Sequence, residues 1–105
     1  MPKKTLDSLT EPMFYVLLAF RGGQMCGIDI AQHIRALTDG RISLGPGTLY
    51  TILGKFEDAG FIEEMRIEGR KRTYQITPRG IEAYRAELAR LRACVADAEK
   101  EGEHA

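Results

Sequence analysis

Apolar residues fall into five blocks along the chain, and their spacing differs from block to block. From Met13 to Phe20 almost every position is apolar, as in a helix buried on most sides, in a core or at an interface. Thr10 suits the N-cap, Glu11 the positive helix end and Pro12 the first turn, and Gly22-Gly23 marks the end. A second helix is predicted from Gly27 to Thr38, with Ile30, Ala31, Ile34 and Leu37 as its apolar stripe and Asp39-Gly40 closing it. After a short extended piece, Arg41–Leu44, a third helix is predicted over Pro46–Ala59. Its Leu49, Ile52, Leu53 and Phe56 recur at i, i+3, i+4 and i+7 and so face inward, and Gly60 suits its C-cap. Phe61–Thr77 reads as a β-hairpin. Phe61, Met65 and Ile67 share one face of its first strand, Tyr74 and Ile76 one face of its second, and Gly69–Arg70 forms the turn.

Thr77-Pro78 opens a final helix. In it Ile81, Tyr84, Leu88, Leu91, Val95 and Ala98 step by three and four residues, the spacing of a heptad seam. From Glu99 onward the charged tail through His104 lacks an apolar anchor and is expected to fray. Three helices, a hairpin and a helix is a mostly α fold with a small β-hairpin (α+β), in the order of a winged helix-turn-helix with an added C-terminal helix. Residues 1–80 are expected to form the winged-helix part and 81–105 a dimerisation helix and tail, the two making one structural unit.

Composition narrows the class. The 105 residues are 44% hydrophobic and 29% charged, an ordinary globular balance for one domain. The two cysteines, Cys26 and Cys94, form no CxxC, which fits a reduced cytosolic chain. The N-terminus (Pro2, Lys3, Lys4) is polar, and no apolar run reaches the ~18 residues of a membrane span. A soluble, cytoplasmic protein without a membrane partner is expected. No paired carboxylates, nucleophile–base motif or GxGxxG points to an enzyme or a bound cofactor. Cys26, Cys94, His33 and His104 are too dispersed to suggest a metal site.

Charge bears on partners. Fifteen basic residues balance fifteen acidic ones, and that neutrality argues against a nucleic-acid partner. The distribution argues the other way: Arg66, Arg70, Lys71 and Arg72 cluster around the hairpin turn with Glu68 as the one acid among them. A local basic tip can contact phosphates whatever the net charge.

The outer face of the third helix carries Gly47, Thr48, Tyr50, Thr51, Gly54, Lys55 and Asp58. Thr48 and Thr51 can bond bases or phosphates, Tyr50 can donate to a phosphate oxygen, and Lys55 can neutralise one. Gly45 and Gly47, on either side of Pro46, let the backbone approach a duplex closely. A plain solvated helix face explains the same residues equally well. The hairpin shifts the balance: Gly69 with Arg70, Lys71 and Arg72 puts three cations at the tip of a β-ribbon. Charge that keeps an edge strand from aggregating is the alternative, but a reading helix followed by a basic wing is more specific than either part.

Three stretches resemble the PadR family of bacterial transcriptional regulators: Leu9-Thr10-Glu11-Pro12-Met13-Phe14-Tyr15-Val16-Leu17-Leu18, Leu44-Gly45-Pro46-Gly47-Thr48-Leu49-Tyr50, and Gly69-Arg70-Lys71-Arg72-Thr73-Tyr74 followed by Ile76-Thr77-Pro78-Arg79-Gly80. The resemblance runs from about Leu9 to Leu91. It implies a dimeric winged-helix repressor on a palindromic double-stranded operator, reading with Pro46–Ala59 and reaching with a wing at Phe61–Thr77. It also implies homodimer contacts on the first and last helices, at Phe14, Leu17, Ile81, Tyr84, Leu88, Leu91 and Val95. With one C-terminal helix the chain looks like the short branch of the family, some of whose members bind flat aromatic effectors at the dimer interface. No Trp is present to build an aromatic sandwich there. Family members often carry His-Gly-Tyr where this chain has Cys26-Gly27-Ile28. A protein-interaction module docking through the first helix, and a thiol- or metal-responsive regulator using Cys26 and Cys94, are the rival readings.

Overall fold

The computed structural model describes residues 8–102. Pro2, Lys3, Lys4 and the end of the charged tail, His104 included, lie outside the described residues. Helix α1 (Glu11–Ala19) begins as expected, the Met13 amide donating to Thr10 Oγ1 at 3.3 Å. It gives way to a single 3-10 turn, Phe20–Gly22, and then to a strand the sequence reading missed, β1 (Met25–Cys26). Helices α2 (Gly27–Leu37) and α3 (Pro46–Ala59) follow. The chain continues through the hairpin β2 (Ile62–Glu68) and β3 (Lys71–Ile76) into the long α4 (Pro78–Lys100). The sheet is three-stranded and antiparallel in the order β1-β3-β2.

Helix α2 ends in a tight clamp. Thr38 Oγ1 donates to the Ile34 carbonyl at 2.9 Å and accepts from the Ile42 amide at 3.0 Å. Asp39 and Gly40 take positive φ, 52° and 79°. The following Arg41–Leu44 is bend and coil, not the extended piece expected. Arg41 reaches back to α1, donating to Tyr15 Oη at 2.8 Å. Helix α3 ends at Gly60, whose φ of 78° allows the Phe61 amide to return to the Phe56 carbonyl at 2.9 Å, a left-handed cap that glycine adopts without strain.

The core gathers Val16, Leu17 and Phe20 from the first block, Ile30 and Ile34 from α2, and Leu49, Ile52, Leu53 and Phe56 from α3, sealed by Phe61, Ile62 and Tyr74. Three pattern readings need correction. Leu37 is 54% exposed; α2 buries Ile30 and Ile34 with Ala31 half-covered, and the stripe stops there. Met65 and Ile67 are exposed while Phe61, read as sharing their face, is buried. The reason is a register shift between Glu64 and Arg66: one residue too many in a strand breaks the period-two alternation, and the adjacent pair Phe61 and Ile62 is buried instead. Glu99 and Lys100, assigned to the frayed tail, are the last residues of α4.

Helix α4 is bolted to the end of α3. Thr77 Oγ1 donates to the Gly60 carbonyl at 2.6 Å and accepts from the Gly80 amide at 3.0 Å, while the Thr77 amide donates to the Phe61 carbonyl at 2.9 Å. From there α4 crosses α1. The arrangement is a winged helix-turn-helix, with β2 and β3 as the wing.

Candidate nucleic-acid interface

The reading face rests on how α3 is fixed from below. Leu49, Ile52, Leu53 and Phe56 are all buried, which turns Gly47, Thr48, Tyr50, Thr51, Lys55 and Asp58 outward, every one exposed. Gly45 caps the helix in extended conformation and Pro46 occupies its first turn, so unpaired backbone N–H groups open at this end, a favourable place for a phosphate. The Thr51 hydroxyl donates to the Gly47 carbonyl at 2.9 Å, which leaves its lone pairs as acceptors for a base amino group. Tyr50 is 59% exposed.

The wing tip is a two-residue turn. Glu68 pairs with Lys71 across it, and Gly69 takes a φ of 63° while Arg70 does not go positive, the pattern of a type II′ hairpin. Its three arginines and one lysine are not equivalent. Arg66 lies 3.0 Å from Glu68, and Arg72 3.6 Å from Glu64. Arg70 and Lys71 have no carboxylate partner among the described residues, so the charge free for a ligand sits at those two.

Wing and reading helix meet at one cleft. Tyr50, Gly54 and Glu57 of α3 line it together with Arg70, Lys71 and Arg72 of the wing. The first turn of α2 closes it, at Cys26, Gly27, Ile28 and Asp29, a wall the sequence reading did not assign. Burial pushes the Glu57 carboxyl above the ordinary range, and the nearby Glu64 carboxylate adds to the effect. The Cys26 thiol donates to Asp29 Oδ2 at 3.2 Å. Cys94 is exposed on α4, far along the chain from that turn, and no group of three or more metal-ligating side chains occurs among the described residues.

The residues expected at a dimer contact separate into two groups. Leu17 has no exposed surface at all; it fills the protomer's own core, and a second copy could not touch it in this conformation. Phe14 and Tyr84 stack on each other within the protomer, centroids 5.4 Å apart and planes at 18°, and both remain half-exposed. Ile81, Leu88 and Leu91 are likewise half-buried, and Val95 is 59% exposed. No helix among the described residues is long and apolar enough to cross a membrane.

The fold recurs in solved structures. A transcriptional regulator from Clostridium thermocellum is 28% identical, with a TM-score of 0.76 over 85% of this chain and 87% of that one. Bacillus subtilis PadR in complex with operator DNA is 26% identical, with a TM-score of 0.64 over 72% of this chain and 46% of that one. RosR of H. salinarum, 19% identical with a TM-score of 0.69 over 90% of this chain and 97% of that one, shares the fold. No curated protein sequence matches this chain. The model of the transcriptional regulator PadR-like family matches residues 16–86, which span α1 from Val16, α2, α3, the wing and the start of α4. The chain belongs to the PadR-like family of transcriptional regulators.

Proposed function

We propose that this chain is a sequence-specific DNA-binding repressor, acting in the cytoplasm as a homodimer on a palindromic operator and released by a small-molecule effector. The observation that carries the reading is the shared cleft: the outward face of α3 and the free cations of the wing lie beside each other, so one duplex can meet both. In this reading α3 enters the major groove by its N-terminal end. Thr48 and Thr51 read base edges and Tyr50 bonds a phosphate. Gly45, Pro46 and Gly47 bring the helix start close to the duplex. Lys55, Arg70 and Lys71, with Gly69 shaping the turn and Arg72 behind it, supply salt-dependent affinity. The operator complex of the Bacillus subtilis relative supports the same use of the fold.

Pairing through α4 is supported by what that helix leaves uncovered. Every residue from Arg92 to Gly102 is exposed, and Leu91 and Val95 continue the seam into that arm. The charges of α4 are also polarised: Arg79, Arg85, Arg90 and Arg92 outnumber Glu82 and Glu87 in its first part, and Asp97, Glu99 and Glu101 outnumber Lys100 at its end. Two arms laid antiparallel bring opposite charges together, and parallel arms do not. Capture of genomic DNA fragments by the purified protein tests the proposal. The expected product is an inverted repeat whose half-sites lie about one helical turn apart; fragments without a shared motif at low salt would instead favour a module that binds proteins.

A further inference from the structure

We infer that the contact between Arg41 and Tyr15 positions the N-terminal end of α3, so that Arg41 serves operator recognition through the reading helix and not by touching DNA. Residues Arg41–Leu44 carry the chain from the turn after α2 to the Gly45 cap of α3. They are bend and coil, and among the described residues no side-chain hydrogen bond holds Ser43, Leu44 or Gly45. Two attachments hold the stretch. Ile42 is buried, and its amide donates to Thr38 Oγ1 at 3.0 Å. Arg41 is the other: its Nη2 donates to Tyr15 Oη at 2.8 Å, and its guanidinium carbon lies 5.7 Å from the centre of the Tyr15 ring. The preceding turn aims it there. Asp39 takes a φ of 52°, which residues with a side chain seldom adopt, and Gly40 one of 79°; together they fold the chain back toward α1. One buried anchor fixes where the lead-in starts, and a second fixes its direction. Direction matters at the start of a reading helix, because hydrogen bonds to base edges weaken steeply as they lose alignment.

Tyr15 is itself a fixed post. Its ring meets Phe14 edge-on, with centroids 5.7 Å apart and planes at 80°, and Phe14 stacks on Tyr84 of α4. At the far end Arg21 lies over the Tyr84 ring at 5.5 Å. A row of rings thus runs from α4 through α1 to the lead-in of α3, with an arginine over the ring at each end, and edge-on, stacked and cation–ring contacts all favour that arrangement. Helix α3 is therefore held at both ends: Thr77 ties its C-terminal cap to α4, and Arg41 ties its N-terminal lead-in to α1. Glu11 adds little, since it lies 3.5 Å from Arg41 with both side chains more than half exposed, where ion pairs are worth least. The rival role for Arg41 is a direct phosphate contact, and the two roles differ in what loss of the Tyr15 hydroxyl does. The effect on operator affinity rests on the DNA-binding reading proposed above; the effect on the start of α3 does not.

The test compares the parent with Tyr15→Phe, Arg41→Gln and the double variant, all as full chains. Tyr15→Phe deletes one acceptor and leaves every charge in place. Amide hydrogen exchange followed by NMR reads the start of α3 without DNA. The Leu49 amide, which donates to the Gly45 carbonyl at 3.0 Å, and the Tyr50 amide are expected to exchange about threefold faster or more in both single variants. The double variant is expected to add nothing further, and the Phe56 amide to keep its parent rate. Titration of the captured DNA fragments is expected to show about a fivefold loss of affinity for Tyr15→Phe, the size of one modest hydrogen bond. The salt slope should stay as in the parent, and affinity for fragments of unrelated sequence should not change. Parent-like exchange in Tyr15→Phe overturns the positioning role, and so do effects that add in the double variant. A slope shallower by about 0.9 for each lost contact in Arg41→Gln alone makes Arg41 a phosphate contact and overturns it too. Faster exchange with undiminished operator affinity, or an equal loss on unrelated DNA, overturns the bearing on recognition. If the parent captures no DNA while exchange at Leu49 and Tyr50 quickens as expected, the function proposed above falls and the tie between Arg41 and α3 stands.

Discussion

A Cβ placed on Gly80 would lie 2.1 Å from the Phe61 carbonyl oxygen and 2.7 Å from Ile76 Cγ1. Backbone cannot yield as a side-chain tip can, so Gly80→Ala is expected to cost at least the ~1–3 kcal/mol of an overpacked core site. Urea denaturation reads this directly, and an unchanged midpoint would mean that α4 moves away from Phe61 and β3 freely. Gly54 is the opposite case. A Cβ there would meet nothing within 4 Å, and glycine within a helix costs about 1 kcal/mol relative to alanine, so Gly54→Ala should stabilise the fold while weakening operator binding; a gain in stability with unaltered affinity would remove the helix backbone from the contact. Glu57 adds a pH signature. Its folded carboxyl titrates above the ordinary value of 4.5, first because of burial and then because of Glu64. The folded state thus holds its proton after the unfolded chain has released it, and stability falls as pH rises through that interval. Glu57→Gln should therefore be more stable than the parent at pH 7, with the difference fading below pH 4.5, as urea midpoints at the two pH values would record.

Among the elements, the wing gives the most quantitative prediction. Arg70→Ala with Lys71→Ala removes two unpaired cations from each protomer. If both meet phosphates, the slope of log affinity against log salt should become shallower by about 0.9 for each lost contact, with affinity falling for every sequence alike. Thr51→Ala should act differently, relaxing preference at one operator position while leaving the salt slope alone; a site selection that returns the parent motif would take Thr51 out of the reading set. The elements also show where a sequence is legible. Helix α3 could be read from Leu49, Ile52, Leu53 and Phe56 because its period runs unbroken over about two turns. Strand β1 could not, because two residues define no period and Met25 and Cys26 are strand only by pairing with Tyr74 and Thr73. The bulge in β2 was equally silent: Met65 and Ile67 carry the right chemistry for a core, and only the partner strand decides that they face out. The reading and wing residues were legible from type and spacing. The α2 wall of the cleft was not, since a glycine and an exposed isoleucine carry no chemical signal until the fold sets them beside Tyr50.

At the scale of the whole molecule, one protomer offers a single reading helix with one lysine and two free wing cations, a modest grip on a duplex. Two copies held at fixed separation bind far more tightly than one, because the second engagement is intramolecular. Leu91→Glu with Val95→Glu should therefore yield a folded monomer whose operator affinity drops by a hundredfold or more. Light scattering and circular dichroism establish the first part and operator titration the second; a dimer that survives both charges would place the contact elsewhere. The path from that contact to the DNA is short and stiff, because α4 is anchored by Thr77 to the carbonyl of Gly60, the cap of the reading helix. At 1.5 Å per residue, the 23 residues of α4 make a rod of roughly 34 Å. A rod of that length works as a lever: a tilt of about 10° at the anchor sweeps its far tip through ~6 Å, of the order of one helical pitch. Run in reverse, a shift of one helical turn where two rods cross re-aims both reading heads by several degrees, enough to put them out of phase with the grooves they must enter together.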